Sequence, residues 1–420
     1  MTGIIHHERA PGFGLRQAAA FALATAFCLA AGRGASAQTP RARDLGVPFE
    51  GSPGALNAIT DVAGVTVGHR TLVSGSGKRV IGQGPVRTGV TAIWPRGKEA
   101  REPVYAAWFS LNGDGEMTGT TWIEDSGLLE GPVMITNTLN VGVVHDAVVR
   151  WETRRSIDEF DGGYPTWLSS LPVVAETWDG TLNDIFGLHV TTEDAFAAME
   201  SATAGPVPEG NVGGGTGMIC HRFKGGIGTS SRTVDVEGAS YTVGVLVQCN
   251  YGSREQLRIA GVPVGMEIPD LMPERTGGVP DGASPYDVDG GADREGSIIV
   301  VVATDAPLLP HQLKRVARRV SLGLGRQGST SGNGSGDIFI AFSTANMDAA
   351  AARTPVAGLD MLSNELLNPI FGATVEATEE SVVNALMAAE TMTGADDITV
   401  YELPHERLRD LLRRYGRLTR

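Results

Sequence analysis

Residues 271–303 read LMPERTGGVPDGASPYDVDGGADREGSIIVVVA. The first part, Leu271–Glu295, is rich in Pro, Gly and Asp and poor in apolar residues. That is the composition of a surface loop or linker. At Gly296–Ser297 the pattern flips. Ser297–Ala303 (SIIVVVA) is a near-continuous β-branched run, which suits a strand buried on both faces. Such a strand belongs inside a layered structure.

The junction also permits chemistry. A hydroxyl on the residue after a peptide bond can attack that bond's own carbonyl. Amide becomes ester, and water then cuts the ester. Glycine before the serine leaves the approach open and allows unusual φ angles. The cut would free a serine whose hydroxyl and α-amine share one residue, and an amine titrating near ~7.7–8.0 can act as its local base. A Gly-Ser pair ahead of a strand is equally a plain loop-to-strand joint, so the junction alone allows self-cleavage without requiring it.

Three further features bear on that reading. Gly328–Asp337 (GSTSGNGSGD) leads into the apolar run Ile338–Ser343. Ser335 and Asp337 stand two apart, so on an extended segment they share a side, where a hydroxyl and a carboxylate can orient a nucleophile or relay a proton. The plain alternative is a Gly/Asn turn. Asn250 follows the run Ser240–Gln248 (SYTVGVLVQ). Its amide can donate to a developing oxyanion, or simply form a turn. Glu176, in VVAETWDG, can bind a substrate ammonium group or be solvated. The cluster Gly213–Gly217 lacks the Lys-Ser or Lys-Thr of a phosphate loop and reads as a tight backbone feature. His69, His145, His189 and His221 lack metal-ligand spacing. No metal and no cofactor is expected.

Outward from the junction, strands and helices intersperse. Ile59–Arg70, Val86–Pro95, Pro103–Leu111, Val133–Ile135, Ser240–Gln248, Ser297–Ala303, Ile338–Ser343 and Ile398–Leu403 read as strands. Val141–Arg150, Thr192–Ser201, Pro310–Leu322, Glu376–Met392 and His405–Tyr415 read as helices, with Thr191 or Thr192 as a cap. This order supports an α/β layered architecture in one large domain, residues 38–420.

At the N-terminus, Arg16 precedes an apolar run, Ala18–Ala31, and then Ala35-Ser36-Ala37. This is the order of a secretory signal peptide, with cleavage expected after Ala37 and a periplasmic or secreted product. The apolar run is short for a membrane span, and no membrane attachment is expected once it is removed. The formal charge of -14 excludes a basic nucleic-acid footprint. Of three cysteines, Cys28 leaves with the signal. Cys220 and Cys249 need no disulfide framework and are expected as two buried thiols, a single bridge after export being the alternative.

Taken together, the motifs resemble the P1 family of self-processing peptidases, which includes the L-aminopeptidase D-alanine esterase/amidase and the β-peptidyl aminopeptidases. The resemblance is carried by Asn57–His69 (NAITDVAGVTVGH), Thr88–Ile93 (TGVTAI), Asn211–Met218 (NVGGGTGM), Val245–Gly252 (VLVQCNYG), Gly296–Leu308 (GSIIVVVATDAPL), Gly332–Thr344 (GNGSGDIFIAFST) and Glu376–Gly394. It implies a four-layer αββα sandwich like that of N-terminal nucleophile hydrolases but with different connectivity. It implies a precursor cut between Gly296 and Ser297 into residues 38–296 and 297–420, assembled as a homo-oligomer, commonly a tetramer. By the same resemblance Ser297 is the nucleophile, Ser335 the second serine contacting it and Asp337 the acid behind that serine. Asn250 supplies the oxyanion-hole amide, and Glu176 holds the free amine of the substrate. Asp337 is shorter than the Glu of the β-aminopeptidase branch. Trp178 stands where the family often has tyrosine, and an indole N–H donates but cannot accept.

The implied activity is an aminopeptidase acting on small peptides, amides or esters with a free N-terminal amine, after a D-alanyl, small L- or β-amino acid residue. Two other readings stand beside it. Ornithine acetyltransferases share a related fold and self-cleavage, but use a threonine nucleophile in a different motif. A non-catalytic exported binding protein on the same scaffold would remain one uncut chain.

Overall fold

The β-branched run after Gly296 becomes an inner strand of a six-stranded sheet. The computed structural model of the chain describes residues 40–159, 171–276, 296–350 and 354–418. The expected signal segment and loop residues 277–295 lie outside the described residues. In chain order the first strands are β1 (Thr66–Ser74), β2 (Val86–Trp94), β3 (Val104–Ser110), β4 (Leu128–Leu129), β5 (Val133–Asn137), β6 (Val173–Thr177), β7 (Ile219–Cys220) and β8 (Phe223–Lys224). There follow β9 (Gly226–Val236), β10 (Ala239–Tyr251), β11 (Glu274–Arg275), β12 (Gly296–Thr304), β13 (Asp337–Ser343), β14 (Met392–Thr393) and β15 (Ile398–Val400). The longer helices are α1 (Val141–Glu159), α2 (Thr192–Glu200), α3 (Pro310–Arg326), α4 (Asn368–Ala388) and α5 (His405–Arg414).

One main sheet has the order β1-β2-β5-β6, the other β4-β3-β13-β12-β10-β9. The remaining strands form the small sheets β7-β8 and β11-β15-β14. Two main-sheet pairs are parallel, β5 with β6 and β12 with β13. Parallel neighbours need a crossover, and the chain supplies α1 for the first and α3 for the second. Helices α1 and α2 cover the four-stranded sheet, and α3 and α4 cover the six-stranded one. The result is the four-layer αββα sandwich.

Side-chain parity on β12 explains the apolar run. Ile298, Val300 and Val302 pack with Leu313, Val316 and Ala377 of the helical layer. Ile299, Val301 and Ala303 pack with Ile135, Val173 and Ala175 of the facing sheet. Both faces are therefore dry, as the sequence demands. Helix α3 buries Leu313, Val316, Ala317, Val320 and Leu324, one stripe at helical spacing. Helix α4 lies so close to β9 that a Cβ on Gly228 would overlap the Ser381 carbonyl oxygen.

Three differences from the sequence reading have physical causes. The first strand starts at Thr66. Ile59–Asp61 instead form a 3-10 turn, held as the Asp61 carboxylate accepts from the Leu56 and Ala58 amides at 2.9 and 3.1 Å. Strand β9 (GIGTSSRTVDV) is polar and glycine-containing and carries no clear strand signal in the sequence. It is nonetheless buried over most of its length, because Thr229 donates to the Val245 carbonyl, Ser230 to the Ala377 carbonyl, and Arg232 pairs with Glu380 at 2.8 Å. Finally, Cys220 and Cys249 are a disulfide, not two thiols. β7 docks against the end of β10 and sets their Cα atoms 5.6 Å apart, within bridging reach.

Candidate active site

Strand parity also places the candidate nucleophile. Ser297 shares the face of Ile299 and Val301, so its side chain lies at the edge of the space between the sheets. Register then brings its neighbours. Asn250 on β10 is the cross-strand partner of Ser297, and Asp337 on β13 is the partner of Ile298. Ser297 and Asn250 are nearly closed to solvent, and Ser335 and Asp337 are fully closed.

The contact to Ser297 comes from the backbone. The Gly336 amide donates to Ser297 Oγ at 3.0 Å. The Ser335 hydroxyl instead donates to Asp337 Oδ1 at 2.6 Å. The shorter aspartate thus reaches its serine, and the Ser335–Asp337 pair fixes the turn whose central amide meets the nucleophile. A donor aimed at Oγ favours negative charge developing there. The serine–acid spacing signalled this pair; the donor between them carries no side chain and left no comparable mark in the sequence.

Asn250 is held at both ends of its amide. Its Oδ1 accepts from the Ile219 amide at 2.7 Å, and its Nδ2 donates to the Trp178 carbonyl at 3.0 Å. Nδ2 has a second hydrogen. Gly296 has φ of 63°. A Cβ built on it would overlap the Asn250 carbonyl oxygen and lie 3.2 Å from Asn250 Nδ2. The Asn250 amide therefore lies beside the Gly296–Ser297 peptide, and only glycine fits before the serine. The Trp178 carbonyl meets Asn250, while its ring is 36% exposed and edge-on to Phe186.

Glu176, at the end of β6, is 3% exposed. It accepts from the Glu116 amide at 3.0 Å and from the Thr138 hydroxyl. Burial, first, and the Glu116 and Asp114 carboxylates hold its pKa above the usual range, against these two hydrogen bonds. Only Gly115 separates it from the nucleophile loop: a Cβ there would sit 3.1 Å from Gly336 Cα and 3.3 Å from Glu176 Oε1. The structure thus gathers Ser297, Asn250, Ser335, Asp337 and Glu176 from distant sequence. It adds Gly336, Gly115 and Thr138, which sequence reasoning missed.

Residues 57–400 match the family model described as peptidase family S58. The chain belongs to peptidase family S58. It is a serine-type aminopeptidase with an Ntn-hydrolase-like fold. It is 56% identical over 385 residues to the β-peptidyl aminopeptidase BapA of Sphingosinicella microcystinivorans, covering 91% of this chain and 94% of that protein. It is 50% identical over 398 residues to BapA of Sphingosinicella xenopeptidilytica, covering 94% and 96%. Among solved structures, the L-aminopeptidase D-Ala-esterase/amidase of Ochrobactrum anthropi, described as a prototype for the serine aminopeptidases, has a TM-score of 0.81 and 49% identity. That match covers 90% of this chain and 100% of that one. The β-aminopeptidase of a Burkholderia species has a TM-score of 0.77 at 45% identity, covering 90% and 99%. The family resemblance read from the motifs is therefore correct.

Proposed function

We propose that this S58 member is an exported β-peptidyl aminopeptidase that matures by cutting its own Gly296–Ser297 bond. The observation that carries it is Ser297 Oγ, held at 3.0 Å by the Gly336 amide on the strand position opposite Asn250. In maturation Ser297 Oγ attacks the Gly296 carbonyl carbon. The C–N bond breaks, the nitrogen takes the hydroxyl proton, and an ester forms. Water hydrolyses the ester, leaving a Gly296 carboxylate and a free Ser297 α-amine. The Asn250 Nδ2 donor, beside Gly296, stabilises the oxyanion formed on the way.

Once freed, the Ser297 amine takes the proton of its own hydroxyl as Oγ attacks the substrate carbonyl. That proton passes to the leaving amine, and water releases the acyl group. The buried Glu176 carboxylate binds the substrate's ammonium group. The β-aminoacyl preference is supported by the names of the two BapA relatives at 56% and 50% identity. Export is supported by the order of residues 1–37, and places the mature enzyme in the periplasm or outside the cell. The family resemblance supports a homo-oligomer, a tetramer of cleaved pairs, which light scattering reads directly.

A denaturing gel with mass spectrometry tests the central step. Wild type is expected as two pieces ending and starting at Gly296 and Ser297, and Ser297→Ala as one chain without turnover. A single wild-type chain that still hydrolyses substrate would sink the mechanism. Side-by-side rates on β-alanyl, D-alanyl and L-alanyl amides test the substrate class, and a faster α-aminoacyl amide would overturn the β assignment.

A further inference from the structure

Lys224 is wholly buried. Its Nζ donates to the carbonyls of Gly225 at 2.7 Å, Met218 at 2.9 Å and Gly215 at 3.4 Å. No ion pair to it is present among the described residues. Burial lowers its pKa from 10.5 to about 7. A buried ammonium group with only carbonyl acceptors is costly, so its position calls for a reason.

The three carbonyls flank the β7–β8 hairpin, and that hairpin carries the Asn250 contact. Lys224 stands opposite Ile219 in the β7–β8 pair. The Ile219 amide, one residue past the Met218 carbonyl, is the group that holds Asn250 Oδ1. The Gly225 amide donates to the same Met218 carbonyl at 2.9 Å. Each flanking residue is docked on the end of β10 as well: Cys220 to Cys249 by the disulfide, and the His221 amide to the Tyr251 carbonyl at 2.7 Å. Lys224 Nζ thus ties the chain entering the β7–β8 hairpin to the chain leaving it. Its three bonds hold the Ile219 N–H in place, and that N–H, together with the Trp178 carbonyl that accepts from Nδ2, sets which way round the Asn250 amide sits.

We propose that Lys224 is a positioning residue for the oxyanion donor: it holds the β7–β8 hairpin so that Asn250 presents Nδ2, not Oδ1, to the reacting carbonyl. A flipped amide would put an acceptor where negative charge develops. The inference rests on the assignment of Asn250 made above, and deepens it.

The test is a double-mutant cycle on Lys224→Met and Asn250→Ala, read on the self-cleavage rate of the full chain and on kcat and KM of its cleaved fraction. Lys224→Met is expected to lower kcat and self-cleavage about 10-fold or more with KM within about 2-fold, since the donor acts in the transition state. In the Asn250→Ala background it is expected to cost nothing further, because the group it positions is gone. A folded Lys224→Met enzyme with wild-type kcat overturns the inference, and so do losses that multiply in the double mutant. Lys224→Gln, which keeps two donors, is expected to fall between Met and wild type. Failure of both variants to fold, judged by circular dichroism, also overturns it, because Lys224 would then serve the fold as a whole. If Asn250→Ala alone leaves kcat unchanged, the oxyanion assignment fails instead.

Discussion

Replacing Glu176 by Gln removes one charge from a site built around it. The carboxylate is 3% exposed and already accepts from the Glu116 amide and the Thr138 hydroxyl. Gln keeps the shape and an acceptor for the Glu116 amide, so the fold around it should hold. What it loses is the charge proposed above to pair with a substrate ammonium group. A hydrogen bond to a charged group contributes about 1.5–3 kcal/mol, which is about 10- to 150-fold in kcat/KM. The loss should appear as a rise in KM with kcat within about 3-fold, because the ammonium is bound in ground and transition states alike. The assay compares a β-alanyl amide carrying a free amine with its N-acetyl analogue. Wild type should strongly prefer the free amine, and the variant should lose that preference. Acidity gives a second arm. Burial, and then the Glu116 and Asp114 carboxylates, raise the Glu176 pKa, and only the ionised form can pair with ammonium. Wild-type KM should therefore rise as pH falls through that raised value, and this acid limb should vanish in the Gln variant. Equal losses for the free and acetylated substrates, or none for either, would refute the ammonium-binding reasoning.

Two other perturbations follow from the geometry. Gly296→Ala puts a Cβ at a φ of 63° and against the Asn250 carbonyl oxygen; the dihedral alone costs about 1–2 kcal/mol. Self-cleavage followed by gel time course should slow by about 10-fold or more, yet the fragments that form should have wild-type kcat, since residue 296 has left the site; wild-type cutting speed would contradict this. His221 is fully buried, its Nδ1 meeting the Ser253 carbonyl at 3.0 Å. Burial, above all, lowers its pKa from 6.5 to about 4. The unfolded state binds the proton first, so the stability linked to this group is complete above pH 6.5 and is lost as pH falls toward 4, by up to roughly 3 kcal/mol. Thermal midpoints across that range should drop more steeply for wild type than for His221→Gln, and parallel curves would remove His221 from the account.

The features legible along the chain are local in origin. Apolar runs and helical stripes gave the placement of most main strands and helices, because burial on two faces or one imposes its own residue period. The i, i+2 placement of Ser335 and Asp337 marks a real pair, and the Gly-Ser junction marks the start of a central strand. Polar β9 escaped because its burial depends on partners far along the chain, Glu380 for Arg232 and the Ala377 carbonyl for Ser230. The disulfide escaped because only the docking of β7 on β10 brings Cys220 to Cys249. The tertiary structure alone decided that the Gly336 amide, not the Ser335 hydroxyl, meets Ser297 Oγ. It also decided that Glu176 stands one glycine away from that loop, and that Lys224 holds the hairpin behind Asn250. These are register and close-approach relations between segments well separated along the chain, and no local pattern of residues encodes them.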